Sequence, residues 1–432
     1  MRILTVLREL GAGGTQRVAQ NYSLGYQDAG HDVAVLGYEG GGPRAAQLEK
    51  KGLPVFRGGT DPEQRAAAVK LAAAWQPDIV HVHREGRANT RSAQVLRRLK
   101  ASRSSRLPVI ETNVFARVDY SPDRDLIDAH LLLTKWCLWK WRRWSRKIRP
   151  RPVGVVVPYA IDAVEFYPPA AHQTAAFRQA RGIPPDAFVF GRIGQPGVSK
   201  WSPVIFDAFA RLARDQHAFL MLVGLPEELR PAVQQLDTAV RERVIEVPFT
   251  NDDAALRAAY GAMDVFVHAA HIGESFGMVL VESMLCGTPV ITLSTPRRDN
   301  SQLEVVGHEE GGLVVTDANT MTTAMERLMH DGALRTELSE QGVERTRNRY
   351  SIEHVVPGLL NVVNHVAAAS TPAELRTALD RDESLITEIE DREIRALLGR
   401  SLGAPSLADR IVMNVVHQPR LYRAWSNRKF GQ

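Results

Sequence analysis

Short runs of apolar residues recur along the chain as far as residue 315, separated by stretches long enough for a helix. Each run is rich in Val, Ile, Leu and Phe, which is typical of strands that helices cover on both faces. The alternation predicts the α/β class with parallel sheets, and two sets of about six strands predict two similar doubly wound domains. The predicted strands lie at 3–7, 33–38, 78–83, 108–110, 130–134, 153–157, 188–193, 219–224, 244–249, 265–269, 289–293 and 311–315.

Proline-rich sequence at 158–185, which includes PYAIDAVEFYPPA and GIPPD, marks the boundary between the two predicted domains. Proline holds the residue before it in extended geometry, so these dipeptides end helices and form connections. Beyond the last predicted strand the pattern becomes helical, and residues 370–432 form a charged tail that ends in an amphipathic segment. The sequence therefore predicts domains at 1–160 and 161–350, followed by helices over 351–432.

Composition excludes several classes of protein. With 44% hydrophobic and 24% charged residues, the chain is typical of a soluble globular protein. No apolar run approaches the roughly 20 residues that a membrane span requires. The N-terminal MRILTVLREL has too short an apolar run for a signal peptide and predicts a first strand. We expect Cys137 and Cys286 to be small buried residues in a reducing cytoplasm rather than a disulfide or a metal site.

The positive charge is concentrated in one part of the chain. Residues 84–151 contain 18 Lys and Arg against 6 Asp and Glu, although the net charge of the whole chain is only +5. Such a zone indicates an anionic partner, which would be a phosphate, a lipid head group or nucleic acid. A solvated basic face without a specific partner is the alternative.

Within this zone, residues 135–147 read KWCLWKWRRWSRK, with four of the chain's seven tryptophans among six basic residues. On a helix one stripe would pack against a sheet, formed by Cys137, Trp141, Trp144 and Ile148. Trp136 and Trp139 fall outside that stripe and lie among basic residues, which suits an interfacial foot on an anionic membrane. The segment is therefore either a core helix or, in part, a membrane foot.

The first predicted strand leads into RELGAGGTQRVAQ. Gly11, Gly13 and Gly14 precede a predicted helix that Thr15 would cap. A glycine turn of this kind lets backbone N–H groups approach a phosphate at the positive end of the helix. A dinucleotide fingerprint would need a third glycine where the chain has Gln16. A plain tight turn after the strand is the alternative.

The stretch HAAHIGESFGMVLVESMLCGTPVIT, residues 268–292, has the strongest chemical pattern. Glu274 and Glu282 are eight residues apart, and a helix that starts near Phe276 would place both carboxylates by its first turns. The N–H groups of that first turn would bind an anion beside two acceptors for hydroxyl groups. A ligand with a diphosphate and sugars would use all of these groups. The alternative is an exposed capping Glu274 and a surface-facing Glu282, although Glu282 falls on an apolar face.

GESFGMVLVE, SMLCGTPVIT and SQLEVVGHEEGGLVV together resemble the E-x7-E signature of the retaining glycosyltransferases with the GT-B fold, the glycosyltransferase family 4-like group. Other stretches that resemble the family are GGTQRVAQNYSLGYQDAGHDVAVL, DIVHVH, VVVPYAIDAVEFYP and GRIGQPGVSKWSPVIFDAFARL. The resemblance covers roughly residues 1–365. It implies two Rossmann-like domains that face each other across a cleft, the first binding the acceptor and the second a nucleotide sugar. It also implies that the helix near 350–365 crosses back to the first domain.

The resemblance further implies roles for individual residues. Glu282 would hold the ribose of the donor, and Glu274 would hold the hydroxyls of the transferred sugar. Lys200, with Arg192 as its partner, would neutralise the departing diphosphate, so that no metal and no other cofactor is needed. The remaining donor contacts would come from Gly13, Gly14, Gln195, Phe276, Gly277, Met278 and Val279.

The chain departs from the family pattern in three places. Asn113 stands where the family often has a His within the cleft. Tyr159 and Ala160 replace the usual Asn-Gly of the interdomain segment. In the donor domain either Arg192 or Gln195 aligns with the family's phosphate-binding Arg. These departures concern the acceptor side and the phosphate loop.

Further acceptor-side candidates lie at the predicted strand ends. His81 and His83 belong to one strand, where we expect only one of them to face the cleft. His83 is the better candidate because it lies nearer the carboxyl end of the strand, where α/β proteins bind ligands. A structural histidine is the alternative. Arg87 and Arg117 would contact a phosphorylated acceptor.

These features predict a retaining glycosyltransferase that moves a sugar from a UDP- or GDP-sugar to a hydroxyl acceptor. The implied acceptor is a glycan or lipid-linked saccharide in polysaccharide or glycoconjugate synthesis. The enzyme would work in the cytoplasm, with peripheral contact to an anionic membrane and no nucleic-acid partner. A Rossmann-type oxidoreductase is one alternative, but it explains only the glycine turn. A protein that binds nucleic acid or an anionic membrane through residues 84–151 is the other.

Overall fold

A computed structural model of the protein describes residues 1–212 and 217–430, with side chains up to residue 428. Two parallel sheets organise these residues. The strands of the first sheet are β1 (Arg2–Leu7), β2 (Asp32–Gly37), β3 (Val55–Arg57), β4 (Ile79–Arg84), β5 (Val109–Asn113), β6 (Ala129–Leu132) and β7 (Gly154–Val156). The strands of the second sheet are β8 (Phe188–Ile193), β9 (Ala218–Val223), β10 (Val244–Val247), β11 (Val265–His268), β12 (Val290–Leu293) and β13 (Gly312–Val315).

The strand orders are β3-β2-β1-β4-β5-β6-β7 in the first sheet and β10-β9-β8-β11-β12-β13 in the second. Every described strand pair within them is parallel. The predicted α/β class with two similar sheets is therefore confirmed, and each predicted strand is present. The apolar pattern missed β3, a three-residue edge strand with no buried residue.

Helices connect these strands and continue beyond the last of them. In the first part of the described chain they are α1 (Gly14–Asp28), α2 (Pro43–Lys50), α3 (Pro62–Ala74), α4 (Thr90–Ala101), α5 (Lys135–Ser145), α6 (Ala171–Gln179), α7 (Val204–Leu212), α8 (Arg230–Gln234), α9 (Thr238–Arg241) and α10 (Asp253–Gly261). Further along they are α11 (Met278–Leu285), α12 (Gln302–Val306), α13 (Ala318–His330), α14 (Gly332–Tyr350), α15 (Ile352–Ala368), α16 (Pro372–Arg381), α17 (Asp391–Gly399), α18 (Leu407–Val416) and α19 (Pro419–Phe430).

Contacts divide the described chain into two compact units. The first unit consists of Met1–Ala160, Ile352–Asp391 and the described residues from Asn414 onward. The second consists of Ile161–Ser351 and Arg392–Met413. Within the first unit α15 packs against α1. The described residues from Ile352 onward, called here the C-terminal extension, thus belong partly to each unit.

Each sheet reverses its strand order once, between β1 and β4 in the first unit and between β8 and β11 in the second. In doubly wound sheets, ligands bind beyond the carboxyl ends of the strands at such a switch point. In the second unit the loops that follow β8 and β11 meet there, because Ile272 N–H donates to the Ser199 carbonyl at 3.1 Å. This edge of the second sheet is therefore where a ligand site is expected.

The tryptophan-rich segment 135–147 is largely the core helix α5. The predicted stripe of Cys137, Trp141, Trp144 and Ile148 is buried. Thr134 caps the helix, since its Oγ1 accepts a hydrogen bond from the Cys137 N–H at 3.1 Å. The core-helix interpretation is therefore confirmed for this stripe.

The prediction that Trp136 and Trp139 belong to an exposed membrane foot is wrong, and Trp136 is fully buried. The Trp139 side chain is only 4% exposed, and its Nε1 donates to Asp391 Oδ1 at 2.6 Å. Arg143 pairs with the same carboxylate at 3.3 Å, and Arg142 donates to the Thr387 carbonyl at 2.8 Å. The C-terminal extension covers this face of α5, which the local pattern of α5 alone does not reveal.

Acidic residues of the C-terminal extension and of other segments form ion pairs with some of the basic residues in 84–151. Ion pairs join Arg91 to Glu39 at 2.8 Å and Arg151 to Glu388 at 2.8 Å. Both acids lie outside the basic zone. The zone is therefore not one uncompensated face. Cys137 and Cys286 are both buried, as expected. No helix in the described ranges combines the length and the hydropathy that a membrane crossing requires.

Candidate functional site

Two glycines shape the loop between β11 and α11 that contains Glu274. Gly273 has φ = 67°, and a Cβ at this position would overlap the carbonyl oxygen of Asp299. Gly277 has φ = 92° and forms the N-cap of α11. Positive φ is readily available only to glycine. The two glycines therefore fix the chain direction on either side of Glu274.

Glu274 is held at both its backbone and its side chain. Its N–H donates to Gln302 Oε1 at 3.1 Å, and its carbonyl accepts from the Ser301 N–H at 2.9 Å. The carboxylate, 8% exposed, accepts a hydrogen bond from Lys200 Nζ at 2.8 Å through Oε2. Its other oxygen lies 3.6 Å from His268 Nε2. Glu274 is therefore a fixed, paired carboxylate at the switch point.

The charges around Glu274 define its protonation. Burial by itself raises the pKa of this carboxyl. The Lys200 ammonium and then His268 lower it by more than burial raises it, so that the pKa falls to about 2. Burial is also the main reason why the pKa of His268 falls to about 4, with the nearby Arg192 guanidinium lowering it as well. At neutral pH the site therefore has an ionised Glu274 beside a neutral His268, whose Nδ1 lies 3.1 Å from Thr292 Oγ1.

A Glu274→Gln substitution is expected to change how stability depends on pH. A carboxyl whose pKa is lowered by folding stabilises the protein fully above its ordinary value of 4.5, and this contribution is lost as pH falls towards 2. At pH 7 the free energy of unfolding of the wild type should exceed that of the variant by about 1–2 kcal/mol. This figure is reduced for solvent screening of the ion pair, because the Lys200 side chain is 35% exposed. The advantage should shrink by pH 3.

Urea unfolding at pH 7 and pH 3 measures this difference. A His268→Asn background removes the imidazole's own titration from the comparison. An advantage of the wild type that is equal at both pH values would contradict the assigned ion pair.

Arg192 lies behind the loop that presents Lys200. Its guanidinium, on a residue 1% exposed, donates to the Lys200 carbonyl at 2.8 Å and to the Ile193 carbonyl at 2.7 Å. The same group lies 5.2 Å from the Trp201 ring centre. Burial lowers the pKa of Arg192 to about 10, so it remains charged at neutral pH. Its observed contacts position the loop, and direct contact with a phosphate stays a prediction. Gln195, whose carbonyl accepts from Trp201 Nε1 at 3.0 Å, is exposed at the surface of the same loop.

Glu282 lies in the second turn of α11 and is 5% exposed. Its Oε2 accepts a hydrogen bond from the Tyr260 hydroxyl at 2.9 Å. Both carboxylates of the E-x7-E pattern are therefore buried and partnered. The alternative of an exposed Glu274 and a surface-facing Glu282 is wrong, because Lys200 pairs with the buried Glu274 and Tyr260 donates to the buried Glu282.

The helix α11 begins at Met278, two residues later than expected, because Gly277 adopts the left-handed conformation before it. The first N–H groups of a helix have no intrahelical partner and face ligands at its positive end. Val279 lies in this first turn, and both it and Met278 are half-buried. The Phe276 side chain is 1% exposed and packs edge-on against the Tyr350 ring. Phe276 therefore offers a ligand its backbone rather than its ring.

In the first unit, the glycine turn forms the start of α1 at the carboxyl end of β1. Gly13 is the N-cap and Gly14 the first helical residue. The expectation that Thr15 caps this helix is wrong, because Thr15 already lies within its first turn. Contacts of Gly13 and Gly14 with a donor stay a prediction.

The expectation that His81 and His83 face different ways is also wrong. Residues two apart on a strand point to the same face, and the two rings lie 4.3 Å apart. Tyr26 and Thr112 bracket His81, with oxygens 3.0 Å and 2.7 Å from its ring nitrogens. His83 is 5% exposed and neither ring nitrogen has a hydrogen-bond partner among the described atoms. Burial lowers its pKa to about 3, so it is neutral at physiological pH.

Asn113 is fully buried and closes the turn that follows β5. Its Nδ2 donates to the Arg117 carbonyl at 2.8 Å, and its Oδ1 accepts from the Arg117 N–H at 3.0 Å. The Arg117 guanidinium lies 5.1 Å from the Trp425 ring centre. Arg87 pairs with Glu85 at 2.6 Å. Acceptor binding by these residues stays a prediction.

Sequence reasoning missed three supporting residues of the site in the second unit: Tyr260, His268 and Gln302. His268 is the one polar residue of the strand VFVH and ends it at the ligand-binding edge, which is a usable signal. Tyr260 and Gln302 lie in segments whose patterns are those of ordinary helices. Nothing in their local sequence indicates a contact with Glu282 or Glu274.

Two family descriptions match the chain on either side of the domain boundary. Residues 12–158 match "Glycosyltransferase Family 4", and residues 184–331 match "Glycosyl transferases group 1". The chain belongs to the group 1 glycosyltransferase family, with the GT-B fold. The segments that resembled this family in the sequence lie within the two matched ranges and are thus confirmed, except VVVPYAIDAVEFYP, most of which falls between them. The Rossmann-type oxidoreductase is set aside, because both large segments match a glycosyltransferase family.

Curated relatives differ in how much of their length this chain spans. It is 26% identical over 392 residues to "Phosphatidyl-myo-inositol mannosyltransferase" of Mycolicibacterium smegmatis, covering 86% of this chain and 95% of that protein. It is 29% identical over 232 residues to "D-inositol 3-phosphate glycosyltransferase" of Jonesia denitrificans. That match covers 51% of this chain and spans only about half, 53%, of the relative.

Two solved structures share the fold. Sucrose-phosphate synthase from Thermosynechococcus elongatus superposes with a TM-score of 0.69 at 20% identity, covering 86% of this chain and all of that one. The Anabaena protein HepE in complex with UDP-glucose superposes with a TM-score of 0.67 at 17% identity, covering 84% of this chain and 99% of that one. At this identity the likeness establishes the fold.

Proposed function

We propose that the protein transfers a sugar, with retention of configuration, from a UDP- or GDP-sugar to a hydroxyl acceptor. The observation that carries the proposal is the arrangement of Lys200, Glu274 and Glu282 around the start of α11. It combines one ammonium group, two buried carboxylates and the positive end of a helix at the switch point of a parallel sheet. A nucleotide diphosphate sugar is the ligand that uses each of these groups.

The two carboxylates have separate roles in this proposal. Glu282, fixed by the Tyr260 hydroxyl, accepts hydrogen bonds from the ribose hydroxyls of the donor. Glu274 accepts hydrogen bonds from the hydroxyls of the transferred sugar. Its low pKa supports this role, because it remains ionised and hence a strong acceptor at any physiological pH.

Lys200 and the first-turn N–H groups of α11 stabilise the leaving group. The bond between the anomeric carbon and the diphosphate oxygen breaks while the acceptor oxygen attacks the same face of the sugar. The acceptor's hydroxyl proton passes to the departing phosphate oxygen. Negative charge thus develops on the diphosphate, where preorganised cationic and backbone donors lower the barrier most. In this proposal these donors serve without a divalent metal.

The acceptor side of the proposal rests on the first unit and on the relatives. The matched proteins include a phosphatidyl-myo-inositol mannosyltransferase and "Lipopolysaccharide core biosynthesis glycosyltransferase LpsE" of Rhizobium meliloti. We therefore propose a lipid-linked saccharide or glycan as acceptor, met at the cytoplasmic face of a membrane. His83, Asn113 and Arg117 remain the first-unit candidates for contact with it.

The test is a screen of UDP- and GDP-sugars for slow donor hydrolysis by the purified protein. We expect one donor to release nucleotide, at an unchanged rate with EDTA, and, when methanol is added as acceptor, to yield a methyl glycoside whose anomeric configuration is that of the donor by NMR. Failure of every donor to release nucleotide or to raise the melting temperature would contradict the proposed function. Inverted product would contradict retention, and loss of activity with EDTA would contradict metal independence.

A further inference from the structure

Exposed apolar side chains are concentrated near the C-terminus of the described chain. Of its twelve exposed large hydrophobic residues, six lie in one short segment: Leu407, Ile411, Val415, Val416, Leu421 and Trp425. Monomeric soluble proteins expose such side chains mainly as scattered single residues, whereas a concentration of them marks an interaction surface. The helices α18 and α19 therefore present a surface that needs an explanation.

The helix α18 exposes its apolar stripe. Leu407, Ile411 and Val415 recur every fourth residue and so share one face of the helix. They are 73%, 56% and 48% exposed. Met413, on the opposite side of the helix, is 8% exposed and faces the protein. This helix thus has an apolar stripe directed to solvent in addition to its packed side.

The helix α19 is fixed in orientation by an aromatic anchor in the first unit. The Tyr422 ring stacks on Trp144, with centroids 3.8 Å apart and planes 4° apart. Its hydroxyl accepts from the Val118 N–H at 3.2 Å. With Tyr422 facing inward, Leu421 and Trp425 remain 51% and 40% exposed. Their exposure is therefore a consequence of how the helix is docked.

The same segment is basic. Residues 407–430 contain five Lys and Arg and a single acid, Asp409, which pairs with Arg297 at 2.5 Å. Arg420 and Arg428 are exposed beside Leu421 on α19. Apolar side chains among cations complement a lipid surface: Leu and Val enter the acyl boundary, Trp lies at head-group depth, and Arg meets lipid phosphates. A second copy of the chain would bring the same positive charge to the interface, which opposes self-association.

We propose that α19 and the end of α18 bind an anionic lipid bilayer through Val415, Leu421 and Trp425, with Arg420 and Arg428 contacting lipid phosphates. In this arrangement the tryptophan-rich helix α5 is the internal anchor of the membrane-binding segment. It is not the membrane contact itself. The proposal stands on exposure and charge alone and does not depend on the proposed glycosyl transfer.

The test is co-sedimentation of the full chain with vesicles of phosphatidylcholine, alone or mixed with phosphatidylglycerol. We expect binding to the mixed vesicles, weakened by high salt. A Val415→Ser, Leu421→Ser double variant should bind at least about tenfold less. Leu71→Ser, which removes a 60% exposed apolar side chain from α3, is the matched control and should bind like the wild type. Brominated lipid should quench the Trp425 emission in the wild type and not in Trp425→Phe.

The proposal is wrong if the wild type does not bind mixed vesicles at low salt, or if the wild type and the double variant bind equally. A wild type that is dimeric without vesicle binding, and monomeric in the double variant, would assign the surface to a second copy. If the double variant fails to fold, Arg420→Gln with Arg428→Gln, which alters only exposed side chains, decides the question. Unchanged binding by that pair would exclude the phosphate contacts.

Discussion

Replacing Lys200 with alanine is expected to lower the rate of nucleotide release from the donor by about 10²–10³. Removal of one preorganised donor that faces a developing negative charge typically costs such a factor. Lys200 is the partly exposed ammonium of the site, 2.8 Å from Glu274 Oε2. Its removal also leaves the buried Glu274 carboxylate without its main partner, so binding and chemistry should both suffer. Steady-state and single-turnover kinetics separate the two.

Two variants control this measurement. Lys200→Arg retains the positive charge, so its rate of nucleotide release should fall by less than about tenfold. A point charge rather than a particular side-chain shape is needed at this position. Lys70→Ala removes an exposed lysine from α3 and should be neutral. A Lys200→Ala variant that retains wild-type kinetics while remaining folded would remove Lys200 from the mechanism.

The largest expected loss of stability follows from Trp144→Ala. The Trp144 side chain is 6% exposed, stacks on Tyr422, and has Lys140 Nζ 5.1 Å from its ring centre. Truncation of a buried Trp typically costs about 3–5 kcal/mol. In a domain of this size such a loss lowers Tm by about 10 °C. Because Tyr422 loses its stacking partner, α19 should also separate from the first unit.

Calorimetry and limited trypsin digestion report these two effects. The variant should melt earlier, and trypsin should cleave after Arg420 or Arg423 faster than in the wild type. Leu71→Ala, at an exposed position, should change neither. A Trp144→Ala protein with unchanged melting and unchanged C-terminal cleavage would contradict the aromatic anchor.

The fold was largely predictable because parallel strands buried on both faces appear as continuous apolar runs. The edge strand β3 was missed because its residues are half-exposed and lack that signal. The loop that contains Glu274 was also located, because the spacing of Glu274 and Glu282 matches the E-x7-E signature. These are local features, and local features are what a single sequence shows.

Contacts between distant segments could not be predicted in the same way. The ion pair between Lys200 and Glu274 and the hydrogen bond from Tyr260 to Glu282 depend on packing that no spacing reveals. The error over Trp139 has the same origin, because its partner Asp391 lies 252 residues further along the chain. The error over His81 and His83 was different, since strand geometry alone places both on one face.

Binding of the donor nucleotide sugar at the E-x7-E site of the second unit can be measured by calorimetric titration. UDP, GDP and their sugars are titrated into the wild type, Glu282→Ala, Glu282→Gln and Glu337→Ala, the last removing an exposed carboxylate from α14. We expect the wild type to bind one nucleotide series and Glu337→Ala to bind it with unchanged affinity. For both Glu282 variants we expect affinity at least about tenfold weaker, since Ala removes the buried acceptor of ribose hydroxyls and Gln replaces a charged carboxylate by a neutral amide with one acceptor oxygen. Wild-type affinity in folded Glu282→Ala and Glu282→Gln, or no binding of either series, would contradict donor binding at this site.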